Sequence, residues 1–495
     1  MSPLSCSVLI ALTFCCVVTA QTQSLPAFKL RVTREGLDYA NRVSSDLLNE
    51  QIRSLNIPDQ NHLIEGGGKV RFRNIRLTNF REPMYSYSLI PPSTFAWNLR
   101  DAALEVSGDW WAKKRLVILL ESSGSVTANA TDISISLAAK FGRNATNLGK
   151  PVVAAAKCVA DIGSFQIEVK GGIVASVMNL FKDQISTHLK PVLERELCKK
   201  AKEFLMKDVN ARLATFPARA PVHQAFILDY SLVADPVVAS DHVEVALKGR
   251  IVPFSRPFLT SPYIPEPLTK EYDGDRMFYA WASDTMINDL LYFAHTANMT
   301  RYLVTKNTPG AGSFLRIRCD ASSSCLGSAI SEIQDMFPRT VETAQAFLTT
   351  SSPPFVRIKD DGSASLSVNC TIDLYAYLNG SGDVKSKKTI AVFAIMIKAD
   401  MRIRIENMRL VGHVNISQFE VRTLQTAIDE FTMFMVEASI PGMATPMLEK
   451  HVNDVFAVGF PVPVTYGVSL IRPEIQLLQR TVQIESDVQY VGMPF

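Results

Sequence analysis

The sequence predicts an α+β fold with mostly antiparallel sheets, one architecture used twice along 495 residues. Three observations carry that expectation. Each half holds long helical periodicities together with alternating, strand-like segments; five prolines fall within residues 251–270; and the helix-and-strand order resumes after them. The length supports more than one core. An apolar content of 47% and a mean hydropathy of +0.10 leave apolar residues to line cavities as well as to fill cores.

The first helix is expected after Thr33, an N-cap with Glu35 in the first turn, because apolar residues recur at Leu37, Ala40, Val43, Leu47, Leu48 and Ile52. Pro58 follows it. Residues 69–73, 129–140 and 164–170 alternate polar with apolar side chains, as half-buried strands do. A second helical pattern runs from about Val174 to Phe216; Pro191 should kink or divide it, and Pro217 ends it. Pro253, Pro257, Pro262, Pro265 and Pro267 make 251–270 an extended linker between an amino-terminal domain, 21–250, and a carboxy-terminal domain, 271–495. In the second domain we expect a helix from Ser283 to about Ala297 and strands over 313–319 and 355–412. A long helix from about Gln418 to Val455 follows, broken at Pro441 and Pro446. No clear sequence repeat links the halves.

Residues 1–20 read as a cleaved secretory signal. Val8 to Val18 is an apolar run, far shorter than the roughly 20 residues a membrane span needs, and it ends in Val18-Thr19-Ala20. Ile390 to Ile397, the nearest thing to another span, reads as a buried strand. The chain is therefore expected to be secreted and extracellular. Of 8 Cys, Cys6, Cys15 and Cys16 lie in the signal, leaving Cys158, Cys198, Cys319, Cys325 and Cys370, an odd number. Cys319 and Cys325 could close a small ring around a polar loop. A Cys158–Cys198 bridge would close a 40-residue loop and contribute ~4 kcal/mol by chain entropy. Cys370 reads as a buried free thiol in an alternating strand. Sequons at Asn129, Asn144, Asn298, Asn369, Asn379 and Asn415 suit a glycoprotein of the secretory pathway.

Charge divides unevenly. Residues 21–250 carry 30 Lys+Arg against 23 Asp+Glu, and residues 251–495 carry 21 against 25, so an anionic partner is expected at the first half. From Lys69 to Arg81 there are five basic residues and no acid; on a strand, Lys69, Arg71 and Arg73 share one face while Val70 and Phe72 face the core. The same pattern also fits a solvated strand face. A second cluster, Lys113, Lys114 and Arg115, follows Trp110 and Trp111, which suit a membrane interface. Enzyme signatures are missing: there is no Gly-x-Ser-x-Gly, His-Glu-x-x-His or Cys-x-x-Cys, and the seven His are scattered without metal-ligand spacing. Glu65-Gly-Gly-Gly-Lys69 reads as a flexible turn, not a phosphate loop. Neither a metal nor nucleic acid is expected.

Several segments resemble the bactericidal/permeability-increasing and lipopolysaccharide-binding protein family. They are Pro26-Ala-Phe-Lys-Leu-Arg-Val-Thr with Gly36-Leu-Asp-Tyr-Ala, Ser107-Gly-Asp-Trp with Lys114-Arg115, Asp229-Tyr-Ser-Leu, Asp275-Arg-Met-Phe-Tyr with Ser283-Asp284, and Gly459-Phe-Pro-Val-Pro. The resemblance covers nearly the whole chain after the signal. It implies a boomerang of two tubular lipid-binding domains joined by a central sheet, each a long helix wrapped by a twisted antiparallel sheet. It also implies bound phospholipid rather than a catalytic cofactor, and a Cys158–Cys198 disulfide tying a strand to the long helix. In that family a basic hairpin at the tip of the first domain meets the phosphates of lipid A. Lys113, Lys114 and Arg115, with Lys69, Arg71 and Arg73, are the residues to which the resemblance and the charge pattern assign lipopolysaccharide binding. The bacterial outer-membrane surface is the implied partner. Asp109 stands where family members carry Lys or Arg, and Trp111 and Val117 also replace basic surroundings, so binding is better supported than killing. Phospholipid or neutral-lipid transfer is the alternative, and a ligand-sequestering carrier the second.

Overall fold

A computed structural model describes residues 25–64, 68–115, 119–171, 175–268, 270, 275–309, 312–319, 325–379 and 385–492. The expected signal and the glycine turn at 65–67 lie outside the described residues, as does Val117.

In the first half, β1 (Phe28–Thr33) leads directly into α1 (Arg34–Arg53). Thr33 caps α1 by accepting the Gly36 N–H at 3.4 Å, and Leu37, Leu48 and Ile52 are buried. There follow β2 (Gln60–Ile64), β3 (Gly68–Arg81), β4 (Met84–Ile90), β5 (Thr94–Arg115), β6 (Leu119–Asn144) and β7 (Lys150–Lys170). They form one antiparallel sheet in the order β2-β3-β5-β6-β7, with β4 on β5. α2 (Ala175–Glu203), a π-helical turn (Phe204–Val209) and α3 (Asn210–Ala214) pack along β7. Leu189, Val192, Leu193 and Leu197 of α2 meet Phe72, Trp97 and Trp110 of the sheet in one core. Pro191 lies inside α2 without dividing it: it removes a single N–H, Leu189, Val192 and Leu193 around it stay buried, and a break in the α-helical pattern comes later, at the π turn.

Short strands then build the middle: β8 (Arg219–His223), β9 (Phe226–Asp229), β10 (Val237–Val238), β11 (His242–Leu247) and β12 (Arg250–Pro253). The proline-rich stretch thus opens as a ladder strand, and its described residues from 254 on form no helix or strand. β12 pairs with β9, buries Ile251 and Val252, and ends at Pro253, which has no N–H to give.

The second half runs β13 (Phe278–Ser283), α4 (Thr285–Thr296), β14 (Tyr302–Val304), α5 (Leu326–Ala329), α6 (Ile333–Met336), β15 (Gln345–Thr350), β16 (Phe355–Ile358) and β17 (Ala364–Asn379). It continues with β18 (Lys385–Glu406), β19 (Arg409–Thr426), α7 (Glu430–Phe456), β20 (Phe460–Pro461), β21 (Val468–Leu478) and β22 (Thr481–Tyr490). Its sheet has the order β14-β15-β17-β18-β19-β20, with β16 on β17. A central sheet, β10-β11-β1-β13-β22-β21, draws strands from both halves.

Three expectations fail here. Residues 313–319 form no strand; Arg316 makes only an isolated bridge to Thr343. The last long helix starts at Glu430 rather than Gln418, because residues 418–426 pair with β18 and half-bury Phe419 and Val421 at a period of two. Pro441 and Pro446 lie inside α7 without breaking it. Asp429 caps that helix by accepting the N–H groups of Phe431 and Thr432.

Candidate functional site

The site is assembled by strand pairing. Along β5, Trp110 and Ala112 turn inward while Asp109, Trp111, Lys113 and Arg115 turn outward; along β3, Val70 and Phe72 turn inward while Lys69, Arg71 and Arg73 turn outward. The register sets Lys69 opposite Lys113, Arg71 opposite Trp111 and Arg73 opposite Asp109. Two basic clusters far apart in the sequence therefore become one outward face at the end of the first sheet.

Within that face, the Arg71 guanidinium carbon lies 4.8 Å from the centroid of a Trp111 ring. β6 supplies Glu121, which accepts from Trp111 Nε1 at 2.9 Å and lies 3.3 Å from Lys113 Nζ. The Trp111 hydrogen bond, then Lys113, holds the Glu121 carboxyl below its usual range. Asp109 is occupied by Asn74, whose Nδ2 donates at 2.7 Å. Arg115 is exposed, and Lys114 lies opposite Leu120, although its side chain is outside the described residues. Five basic side chains thus surround two acids, a surface suited to phosphate groups through charge-assisted hydrogen bonds.

Trp110 corrects the interface expectation. It is 1% exposed, packs in the core, and donates from Nε1 to the Lys170 carbonyl at 3.3 Å. Alternation along the strand sends one tryptophan of the pair inward, so only Trp111 remains at the surface.

The second half holds a feature the sequence left unplaced, an apolar cavity of about 540 Å³. Met286 and Leu290 of α4, Met401 of β18, Ile416 of β19, and Val452 and Phe456 of α7 line it. Its partial signal is α4, which is apolar well beyond one stripe. Asp284 reaches the wall, with Oδ2 2.7 Å from Arg480 Nε; burial raises its carboxyl above the ordinary range despite that partner.

Cys158 of β7 and Cys198 of α2 form a disulfide with Cα atoms 5.9 Å apart, and Cys319 pairs with Cys325 at a Cα separation of 6.6 Å. Cys370 is a buried free thiol, and burial pushes it up to about 11. The sequon residues Asn129, Asn298, Asn369 and Asn415 are exposed and Asn144 is half-buried, while the Asn379 side chain is outside the described residues. Among the described residues no group of three His, Cys, Asp or Glu could hold a metal, and no helix is long and apolar enough to cross a membrane.

Comparison with known proteins agrees with this architecture. The N-terminal domain model of the LBP / BPI / CETP family matches residues 36–207, and its C-terminal domain model matches residues 220–490. A bactericidal permeability-increasing protein of Sebastes schlegelii is 22% identical over 471 residues, covering 94% of this chain and 96% of that protein. A lipopolysaccharide-binding protein of Rattus norvegicus is 23% identical, covering 94% of each. A crystal structure of lipopolysaccharide binding protein superposes with a TM-score of 0.55 at 21% identity, over 94% of this chain and 100% of that one, and so shares the fold. The family is one of lipid-binding and lipid-transfer proteins rather than enzymes. With two domain models covering most of its length in the expected order, the chain belongs to the LBP / BPI / CETP family.

Proposed function

We propose that this protein is a secreted, extracellular innate-immune lipid binder that recognises the lipid A phosphates of lipopolysaccharide and holds phospholipid acyl chains in apolar space. The register that brings Lys69, Arg71 and Arg73 beside Lys113 and Arg115 carries the reading. Trp111 adds an amphipathic ring beside the cations, suited to a headgroup layer. Glu121 and Asp109 reduce the net charge of the face, which supports recognition more than disruption of the bacterial outer membrane. A second reading, transfer of phospholipid or neutral lipid, is favoured by the 540 Å³ cavity, which needs no cationic tip. A sequestering carrier would use the same cavity without release. Glycosylation at the exposed sequons accompanies the secreted reading.

Lipid A binding tests the assignment. Each basic group contributes about 1 kcal/mol at an anionic surface, so removing Lys69, Arg71, Lys113 and Arg115 together should weaken binding up to about a thousandfold at low ionic strength. Glu121→Gln, which frees Lys113, should strengthen it. Undiminished affinity in the fourfold alanine variant removes the site from this face.

A further inference from the structure

The two halves close their sheets by the same device. In the first, Asn210 grips both backbone groups of Val153 on β7: its Oδ1 accepts the N–H at 2.8 Å and its Nδ2 donates to the carbonyl at 2.8 Å. In the second, Asn453 of α7 grips Val414 of β19 in the same way, at 2.7 and 3.0 Å. The neighbouring bonds repeat the spacing. The Ala155 N–H meets Met206 Sδ at 3.5 Å where the Ile416 N–H meets Glu449 at 2.6 Å, each two residues past the gripped valine and four before the asparagine. The Ile162 N–H meets Glu194 at 3.2 Å where the Thr423 N–H meets Glu437 at 2.6 Å, nine past and sixteen before. Both strands also slip register at the matching place, between residues 155 and 157 and between 416 and 418, and the second strand slips again between 423 and 425. Each helix thus satisfies open N–H groups along the last long strand of its sheet.

Equal spacing makes the halves comparable residue by residue, and they differ at one bolt. The disulfide joins Cys158, five past Val153, to Cys198, twelve before Asn210. The corresponding positions of the second half are Phe419 and Pro441. There the helix also lacks N–H groups at Pro441 and Pro446, and a side chain added at Gly442 would meet nothing within 4 Å. The cavity lies directly behind this seam, since Val414 and Ile416 on one lip and Glu449 and Val452 on the other line it.

We propose that the seam between α7 and β19 is the portal through which the second-half cavity takes up and releases lipid, while the disulfide bolts the equivalent first-half seam. This rests on the lipid-binding reading above. Opening requires the Asn453, Glu449 and Glu437 bonds to part together with the apolar contacts between the two elements, letting an acyl chain pass sideways instead of threading from one end.

The test transplants the bolt. In the full chain, Leu290→Trp places a reporter in the cavity wall, which none of the four native Trp lines. Its quenching by doxyl-labelled phosphatidylcholine supplied from phosphatidylcholine vesicles reports occupancy. No quenching at equilibrium overturns the lipid-binding reading itself. Given quenching, oxidised Phe419→Cys/Pro441→Cys should exchange lipid at least tenfold more slowly, with a phosphine restoring the rate and the same treatment of the reporter parent as control. Asn453→Ala with Glu449→Gln should exchange severalfold faster. A cross-link verified by mass spectrometry with unchanged exchange overturns the portal. If the cross-link does not form, an unchanged rate in the Asn453→Ala/Glu449→Gln variant overturns it equally.

Discussion

Glu244 should be worth roughly 3 kcal/mol of stability at neutral pH, and that contribution should disappear in acid. Its carboxylate on β11 meets Lys29 Nζ at 2.9 Å and Arg31 Nη2 at 2.9 Å on β1, and Lys270 Nζ at 2.7 Å at the end of the proline-rich segment. Burial by itself would raise the carboxyl. The three cations overcome burial and hold it at about 2, against an ordinary value of 4.5. A displacement of that size corresponds to roughly 3 kcal/mol, and the side chain is only 16% exposed, so solvent screening removes little of it. Because the folded pKa is depressed, the contribution is complete above the unfolded value and is lost as pH falls from about 4.5 towards 2. Glu244→Gln leaves three cations around a neutral amide and removes that contribution. Urea unfolding at pH 7, 5, 4 and 3, followed by tryptophan fluorescence, measures the difference between parent and variant. Trp281, with Arg31 and Lys270 over its ring at 5.3 and 5.1 Å, sits beside the cluster and reports it. We expect the gap to be widest at pH 7 and to narrow below pH 5. A gap that stays constant down to pH 3, or that is under about 1 kcal/mol at pH 7, refutes the reasoning.

The adjacent tryptophans of β5 should behave oppositely. Trp110→Ala opens a core void and should cost about 3–5 kcal/mol in chemical denaturation, whereas Trp111→Ala should change stability by less than about 1 kcal/mol; the reverse order would put the wrong ring inside. Cys370, buried with its thiol pushed up to about 11, should stay unalkylated by iodoacetamide in the native protein at pH 8 and react once urea unfolds it, as mass spectrometry would record. Rapid native alkylation would contradict its burial.

Local chemistry was legible where a side chain announces its role. Thr33 and Glu35 mark the start of α1, and the alternation of Val70 and Phe72 with Lys69, Arg71 and Arg73 gives the facing of β3. Pro441 and Pro446 do not break α7, and Pro191 does not divide α2, because a helix held along a sheet can lose an N–H at each proline and keep its buried contacts. The face at Lys69 and Lys113 was half legible: both clusters stand out in the sequence, but their adjacency is a matter of β3–β5 register. The same register decides that Trp110 is core and Trp111 is surface.

The residue-by-residue correspondence between the halves stayed hidden for a deeper reason. On the strand side of each seam the bonding groups are backbone N–H and carbonyl groups, so Ala155 and Ile162 can answer to Ile416 and Thr423 without shared side-chain chemistry. On the helix side the requirement is only an acceptor of the right reach, met by Met206 in one half and Glu449 in the other. The asparagine, which must accept and donate at once, is the same in both, and so is the glutamate at 194 and 437. A pattern built on backbone groups fixes spacing and leaves the side chains free to differ. A difference that breaks such a pattern therefore carries more information than the sameness around it. Phe419 and Pro441 stand where the first half has its disulfide, which leaves one seam bolted and the other held by hydrogen bonds and packing, and a division of labour between the two halves should begin there.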